Sequence, residues 1–374
     1  MTLLALAALL LALLPAALAL ANLVALRPPR RAPAGPDPDG TVSILIPARN
    51  EAANLGPTLA AACASTGVAV EVIVADDHST DATPALVAEH AARDPRLRLI
   101  AVPPLPPGWT GKNHACHVLA EAAAGRYLLF VDADVRLEAG AAAALAAAAR
   151  ARGAALVSGV PRQVTGSLGE RLTVPMINLL LLGYLPVPLM RRLRDPALGA
   201  ACGQLVLVEA GAYRAAGGHG AIRASLHDGV QLPRAFRRAG LATDLVAGAG
   251  LATCRMYTAF GQAWAGFSKN AHEGLATPRA LPVWTLLLGG GHVLPPLLVL
   301  AALAGAGSLP LASGSLALSL ATRAAITLAT REDPRTILLH PVTVALALAL
   351  QWNALLRPRR AGVATWKGRT YPAA

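Results

Sequence analysis

The stretch Arg126-Tyr127-Leu128-Leu129-Phe130-Val131-Asp132-Ala133-Asp134 limits the fold more than any other. Its apolar run, rich in aromatic and branched side chains, predicts a buried strand of a parallel sheet. The run ends in two carboxylates one residue apart. Open α/β sheets bind ligands at the carboxyl ends of their strands. Residues i and i+2 of an extended chain point to one face. Two carboxylates crowded there repel unless a cation lies between them, and hard divalent ions such as Mg2+ take such ligands and bridge them to phosphates. The expectation is a metal–diphosphate site; the plain alternative is a polar strand end carrying two solvated aspartates.

Around this strand the pattern alternates. Val42 to Ile46, Val70 to Ala75 and Leu97 to Val102 read as further strands. Glu51 to Cys63, Ser79 to Ala92 (capped by Ser79 or Thr80), Asn113 to Ala124 and Glu138 to Arg150 read as helices. Strand and helix in turn predict an α/β fold whose parallel sheet is covered on both faces.

The flanks are of another kind. The chain of 374 residues is 55% hydrophobic and 14% charged, which is too apolar for an ordinary soluble domain. Thr2 to Leu26 carries no charge and is long enough for a ~30 Å hydrocarbon core. Arg27, Arg30 and Arg31 follow it, the reverse of a secretory signal, so residues 1–26 read as a transmembrane anchor with its carboxyl end in the cytoplasm. Residues 27–40 read as a linker and residues 41–280 as the sheet domain. Residues 281–356 form apolar segments, Leu281 to Ala304, Leu309 to Ala329 and Ile337 to Leu356, that cross or re-enter the membrane; residues 357–374 are a basic tail. Basic residues flank both ends of the last segment, which one crossing cannot reconcile with the positive-inside rule, and Arg323 must face the protein interior or snorkel. The apolar segment 172–190, interrupted by Pro175, Pro186 and Pro188, is expected as an interfacial helix with Arg171, Arg191, Arg192 and Arg194 toward lipid phosphates, or else as a core helix. The net charge of +12 fits anionic lipid or phosphorylated substrates. With aromatics at 4% and no basic run interleaved with them, nucleic acid is not an expected partner. Cys63, Cys116, Cys202 and Cys254 form no zinc spacing and no disulfide framework.

Five stretches occur in an order that resembles glycosyltransferase family 2, the inverting GT-A enzymes: Val42 to Glu51, Val74 to Asp81, Gly111-Lys112-Asn113, Val131 to Asp134, and His227-Asp228-Gly229. A narrower likeness, to the membrane glycosyltransferases of carotenoid biosynthesis (the diaponeurosporenoate glycosyltransferase type) and their hopanoid-associated relatives, lies in Trp109 to Cys116, Gly217-Gly218-His219, Arg255-Met256-Tyr257, His340-Pro341 and Trp366 to Tyr371. The resemblance implies a GT-A, Rossmann-like, mostly parallel sheet with helices on both faces, plus N-terminal and C-terminal transmembrane helices. It implies Pro47, Ala48 and Glu51 in the loop lining the nucleoside, and Asp77 accepting from the uracil imide. His78 stands where the family usually has Gly, which bears on that turn. Lys112 is implied beside the donor diphosphate; Gly111-Lys112 is no phosphate loop, since Pro106 replaces the first glycine. Asp134 is implied as the ligand of Mg2+ or Mn2+, Asp132 as sharing the ion or holding ribose, and Asp228 as the catalytic base. An N-cap role is the simpler reading of Asp228. His114 and His117, three apart, are expected to pack the helix or contact the acceptor rather than bind metal.

The expected protein is thus a multi-pass enzyme of the inner or plasma membrane, its catalytic domain cytoplasmic. It moves one sugar from a nucleotide-sugar, a UDP-sugar by the family's habit, to a lipid acceptor, foremost a carotenoid or other terpenoid. The absence of a Gln-x-x-Arg-Trp motif near Gln262 favours single-sugar transfer. The alternatives are transfer to polyprenyl phosphate or a glycerolipid, a nucleotidyltransferase, and a non-catalytic membrane scaffold.

Overall fold

The structure is a computed structural model, and it describes residues 1–29, 40–356, 363–366 and 369–372. The branched apolar runs form strands β1 (Thr41–Ala48), β2 (Ala69–Asp76), β3 (Leu97–Ala101), β4 (Tyr127–Val131), β5 (Val135–Leu137), β6 (Leu156–Gly159), β7 (Arg162–Gln163), β8 (Leu205–Glu209), β9 (Thr243–Val246) and β10 (Ala252–Cys254). Seven of them make one sheet in the order β3-β2-β1-β4-β8-β6-β9. β1 to β4 are parallel, with Leu45 of β1 opposite both Ile73 and Phe130. β8 enters antiparallel between β4 and β6, and β6 and β9 are parallel again. The α/β expectation holds in this form: a mixed, mostly parallel sheet with flanking helices.

All five residues of β4 are buried, as its unbroken apolar run requires. On one face Leu45, Ile73, Leu128 and Phe130 pack against Leu119 of the helix Gly111–Ala122 and Phe236 of the helix Asp228–Arg238. Burying one such leucine or phenylalanine is worth roughly 1.5–3 kcal/mol.

One helix begins later than its caps promised. The helix after β2 spans Thr83–Ala91 and has no side-chain cap. Ser79 and Thr80 are engaged by Asn50 instead: the Asn50 N–H donates to Ser79 Oγ at 3.0 Å, and the Thr80 N–H donates to Asn50 Oδ1 at 2.8 Å. The strand-end loops are tied to each other at the cost of the cap.

The chain divides into two compact units, neither continuous in sequence. One, which holds the sheet, comprises Leu26–Arg162, Leu189–Cys254 and Gly362–Ala374. The other comprises Met1–Ala25, Gln163–Pro188 and Arg255–Ala361. Among the described residues of the second, three helices are long and apolar enough to cross a membrane: Thr2–Ala25, Ala280–Leu303 and Leu309–Ala329. The helix His340–Leu356 has 17 residues, about 26 Å, less than the ~30 Å hydrocarbon core. On Thr2–Ala25 the buried residues are Ala5, Ala8, Ala12, Pro15, Ala19 and Asn22, one stripe at helical spacing. Leu3, Leu10 and Leu20 point outward. Small residues toward other helices and leucines toward the outside are what a lipid environment selects, because lipid gives no hydrophobic reason to bury leucine. Asn22, fully buried, donates to the carbonyls of Leu182 and Leu185, both at 2.7 Å.

The segment 172–190 is not one interfacial helix. It breaks into helices Met176–Gly183 and Val187–Arg192, with Pro175 at the first N-terminus, because proline ends helices and restricts the residue before it. Helix Met176–Gly183 packs on Thr2–Ala25 and Leu309–Ala329 and buries Met176, Asn178, Leu179 and Leu182. Nor are Arg171 and Arg191 free for lipid: Arg171 pairs Asp333 at 2.7 Å, and Arg191 with Arg152 pairs the buried Asp244, at 2.7 and 2.8 Å. Arg192 and Arg194 are exposed. Arg323 faces inward and is bonded to Glu332, to Thr336 Oγ1 at 3.2 Å and to the Pro175 carbonyl at 3.0 Å. The linker from Arg30 to Asp39 and most of the basic tail lie outside the described residues; 363–366 and 369–372 pair as antiparallel strands.

Candidate functional site

Three of the expected residues meet. Lys112, in the first turn of its helix, places Nζ 2.7 Å from Asp132 Oδ1 and 2.9 Å from Asp228 Oδ2. Asp132 follows β4, and Asp228 opens the helix Asp228–Arg238, so three elements converge on one ammonium group. Pro47, at the end of β1, lines the same pocket, with Cys116, Phe130, His219 and Gly203. Asp228 is not an N-cap: His227 holds that position, and Asp228 Oδ1 accepts from its neighbour, the Gly229 N–H, at 2.8 Å. Gly203 is required here, because a Cβ on it would stand 2.5 Å from Asp228 Oδ1.

Burial opposes the ionisation of Asp228, but the charge and hydrogen bond of Lys112 outweigh it and hold this carboxyl far below the carboxylate range. Burial likewise works against the Lys112 ammonium, and Asp132 and Asp228 together raise its pKa well above the ordinary value. Asp134 has no such cation. Burial first, then the charges of Asp132 and Glu51, push its carboxyl up to about 7. Asp134 Oδ1 is buried without a hydrogen-bond partner.

That bare oxygen is the test of whether the residues suit a divalent ion, and they do. A buried carboxylate oxygen lacking a donor, next to a second carboxylate, is relieved by a cation. Among the described residues no group of three His, Cys, Asp or Glu could hold an ion alone. Mg2+-type sites need only one or two carboxylates, because substrate phosphates and water complete the shell. Asp134 and Asp132 are the residues that would hold it.

The loop expected to line a nucleoside lies along the same edge of the sheet, and only part of it reaches the pocket. Asp77, buried, follows β2; its N–H donates to the Ala48 carbonyl at 2.9 Å. With β1 between β2 and β4, Asp77 stands two strands, about 10 Å, from Asp132. Asp77 and Ala48 do not line the pocket around Lys112. Glu51 is closer in effect to the carboxylate pair, whose ionisation it opposes. The turn after Asp77 keeps the left-handed backbone that glycine favours: His78 has φ 57°, and its Nδ1 is 3.3 Å from Asp77 Oδ1. Asp76 accepts from the Ser79 N–H and so supports the turn. His114 and His117 pack on Trp109, with ring centroids 5.5 and 5.1 Å apart.

Residues 43–214 match the family Glycosyl transferase family 2. The matched segment is just under half of the chain. The chain is 30% identical over 243 residues to the 4,4'-diaponeurosporenoate glycosyltransferase of Staphylococcus haemolyticus, covering 64% of this chain and 63% of that protein. It is 42% identical over 93 residues to the succinoglycan biosynthesis protein ExoO of Rhizobium meliloti, 25% of each chain. The chain thus spans under two thirds of the length of both relatives. In structure it is similar to the mannosyltransferase PcManGT of Pyrobaculum calidifontis, solved with GDP-Man and Mn2+, with a TM-score of 0.54, 20% identity, and 93% and 99% of the two chains covered. At that identity the likeness concerns the fold.

Four residues near the carboxylates have no role assigned by the sequence patterns. His219 lines the pocket, edge-on to Phe130 at 4.7 Å, and burial lowers its pKa to about 3, so it is neutral. The Tyr213 hydroxyl accepts from the His219 backbone N–H at 3.0 Å and lies 2.9 Å from its Nδ1. Gln204 and Cys254 lie beside Asp132 and Asp134. Strand pairing brings in Gln204 and Cys254, while Tyr213 and His219 come from the short helices Ala210–Ala215 and Gly218–Ile222.

Proposed function

We propose that the protein is a membrane-associated glycosyltransferase that moves one sugar, with inversion, from a nucleotide-sugar to a lipid acceptor with a polar head. The observation that carries this reading is Lys112 held between Asp132 and Asp228, with the bare oxygen of Asp134 beside them, in a chain that also has three helices long enough to span a bilayer. Asp134 and Asp132 hold a divalent ion, Mn2+ or Mg2+, which when bound supplies positive charge to the departing diphosphate. Lys112 adds a second positive charge to the same phosphates. Asp228 takes the acceptor proton. Paired with Lys112 it is a weak base; a donor diphosphate that draws Lys112 to itself restores its basicity, so donor precedes acceptor. Asp77 accepts from the donor base, and UDP-sugars are its first candidates. The sheet domain faces the cytoplasm, where nucleotide-sugars are made.

The acceptor reading moves away from a carotenoid. Beyond the sequence stretches named above, the carotenoid reading is supported by one relative, of which the chain spans 63%. An acid acceptor such as a diaponeurosporenoate is already ionised and needs no base, whereas a glycerolipid hydroxyl makes use of Asp228. A polyprenyl phosphate also needs no base but suits the net charge of +12. The order is therefore glycerolipid, polyprenyl phosphate, then carotenoid. A non-catalytic scaffold leaves the Lys112 array without purpose.

The test is the full chain in detergent with Mn2+, UDP- and GDP-sugars, and each of the three acceptor classes. Asp228→Asn is expected to lower transfer to a hydroxyl acceptor by about 10²–10⁴-fold while donor binding survives. Undiminished turnover by that variant rejects Asp228 as base, and no transfer from any donor rejects the activity.

A further inference from the structure

We propose that Gln204 and Cys254 are positioning residues that aim the two metal-binding carboxylates, Gln204 acting on both. The inference rests on the reading of Asp132 and Asp134 as ion ligands and adds how they are held. Two strand ladders bring the positioning residues in. β8 pairs antiparallel with β4, Leu205 opposite Val131, so the next pair along is Gln204 and Asp132. The Gln204 carbonyl accepts from the Asp132 N–H at 3.3 Å. β10 pairs antiparallel with β5, Cys254 opposite Val135, the residue that follows Asp134. The Cys254 thiol hydrogen-bonds the Asp134 carboxylate.

Gln204 closes the circuit. Its Nε2 donates to Cys254 Sγ at 3.1 Å, and its Oε1 accepts from Cys202 Sγ at 3.4 Å. The far end is fixed as well, since the Cys202 N–H donates to Ser158 Oγ at 2.9 Å. Gln204, Cys202, Cys254 and Ser158 are all buried. With its sulfur accepting from Gln204, Cys254 turns its S–H to Asp134. A thiol is a weak donor, so it orients the carboxylate without neutralising it. Asp134 Oδ1 is buried without a hydrogen-bond partner. A hydroxyl can donate in the same way; a methyl group cannot.

Outer-shell partners of metal ligands typically contribute 10–100-fold to metal affinity. The full-length protein, titrated with Mn2+ and followed by electron paramagnetic resonance, reads this without turnover. Cys254→Ala is expected to weaken Mn2+ binding by about tenfold or more, and Cys254→Ser to restore it, at unchanged melting temperature. Gln204→Leu, which keeps the backbone carbonyl on Asp132 but frees the thiol, is expected to weaken Mn2+ as well, and it serves if Cys254→Ala does not fold. Mn2+ affinity equal to wild type in both Cys254→Ala and Gln204→Leu overturns the inference. So does a sulfur-to-metal charge-transfer band with Cd2+ that Cys254→Ser lacks, since the sulfur is then a ligand. Absence of Mn2+ binding by the wild-type protein overturns instead the ion site on which the inference rests.

Discussion

Asp132, Asp134 and Asp228 are chemically the same side chain, and their surroundings make them different. Asp228 is ionised because Lys112 stands 2.9 Å away, while Asp134 is pushed up to about 7 by burial and by its acidic neighbours. A divalent ion binds the ionised form, so its affinity is expected to fall as pH drops below about 7 and to level off above it, as an Mn2+ titration between pH 5.5 and 8.5 will show. The sign for stability is the reverse. A carboxyl whose pKa rises on folding from 3.8 favours the folded state only while protonated, so without metal that contribution is lost as pH rises from about 4 to 7. At this scale local patterns single the aspartates out: D-x-D after an apolar run, and Asp at the start of an amphipathic helix. The ionic partner of Asp228 lies more than a hundred residues earlier in the chain, and no local pattern shows it.

Elements depart from the sequence reading where tertiary contacts compete with local preference. Ser79 and Thr80 are good caps, yet Asn50 takes both. The 172–190 segment has the composition of one helix, but its prolines divide it and it buries Asn178 among other helices. The helix Leu309–Ala329 carries Arg323 in its apolar interior, and Glu332, from the turn after it, answers that charge; Asn178 Nδ2 in turn donates to Glu332 Oε1 at 2.7 Å. Removing one partner of a buried ion pair leaves the other uncompensated, at a cost of about 3–5 kcal/mol. Arg323→Met is therefore expected to lower the detergent melting temperature sharply, and Arg323→Met with Glu332→Gln to recover much of the loss; equal melting of the single variant and wild type counts against the pair.

For the whole molecule, an exposed row of leucines beside a buried row of alanines on Thr2–Ala25 argues for lipid around the second unit. The protein is expected to stay in the membrane pellet after alkaline carbonate washing, and to stay there when Thr2–Ala25 is deleted, because Ala280–Leu303 and Leu309–Ala329 remain; release of the full chain rejects membrane spanning. Hydropathy and strand–helix alternation are properties of neighbouring residues. From them the sequence by itself determined the α/β class, the apolar flanks and the acidic strand end. Which distant segments share a unit, the antiparallel entry of β8, and the placing of Lys112, Gln204 and Cys254 around the carboxylates were decided only by tertiary structure. The reason is physical: strand pairing across a sheet joins residues by register, and register depends on which strands become neighbours, not on the order in which they occur.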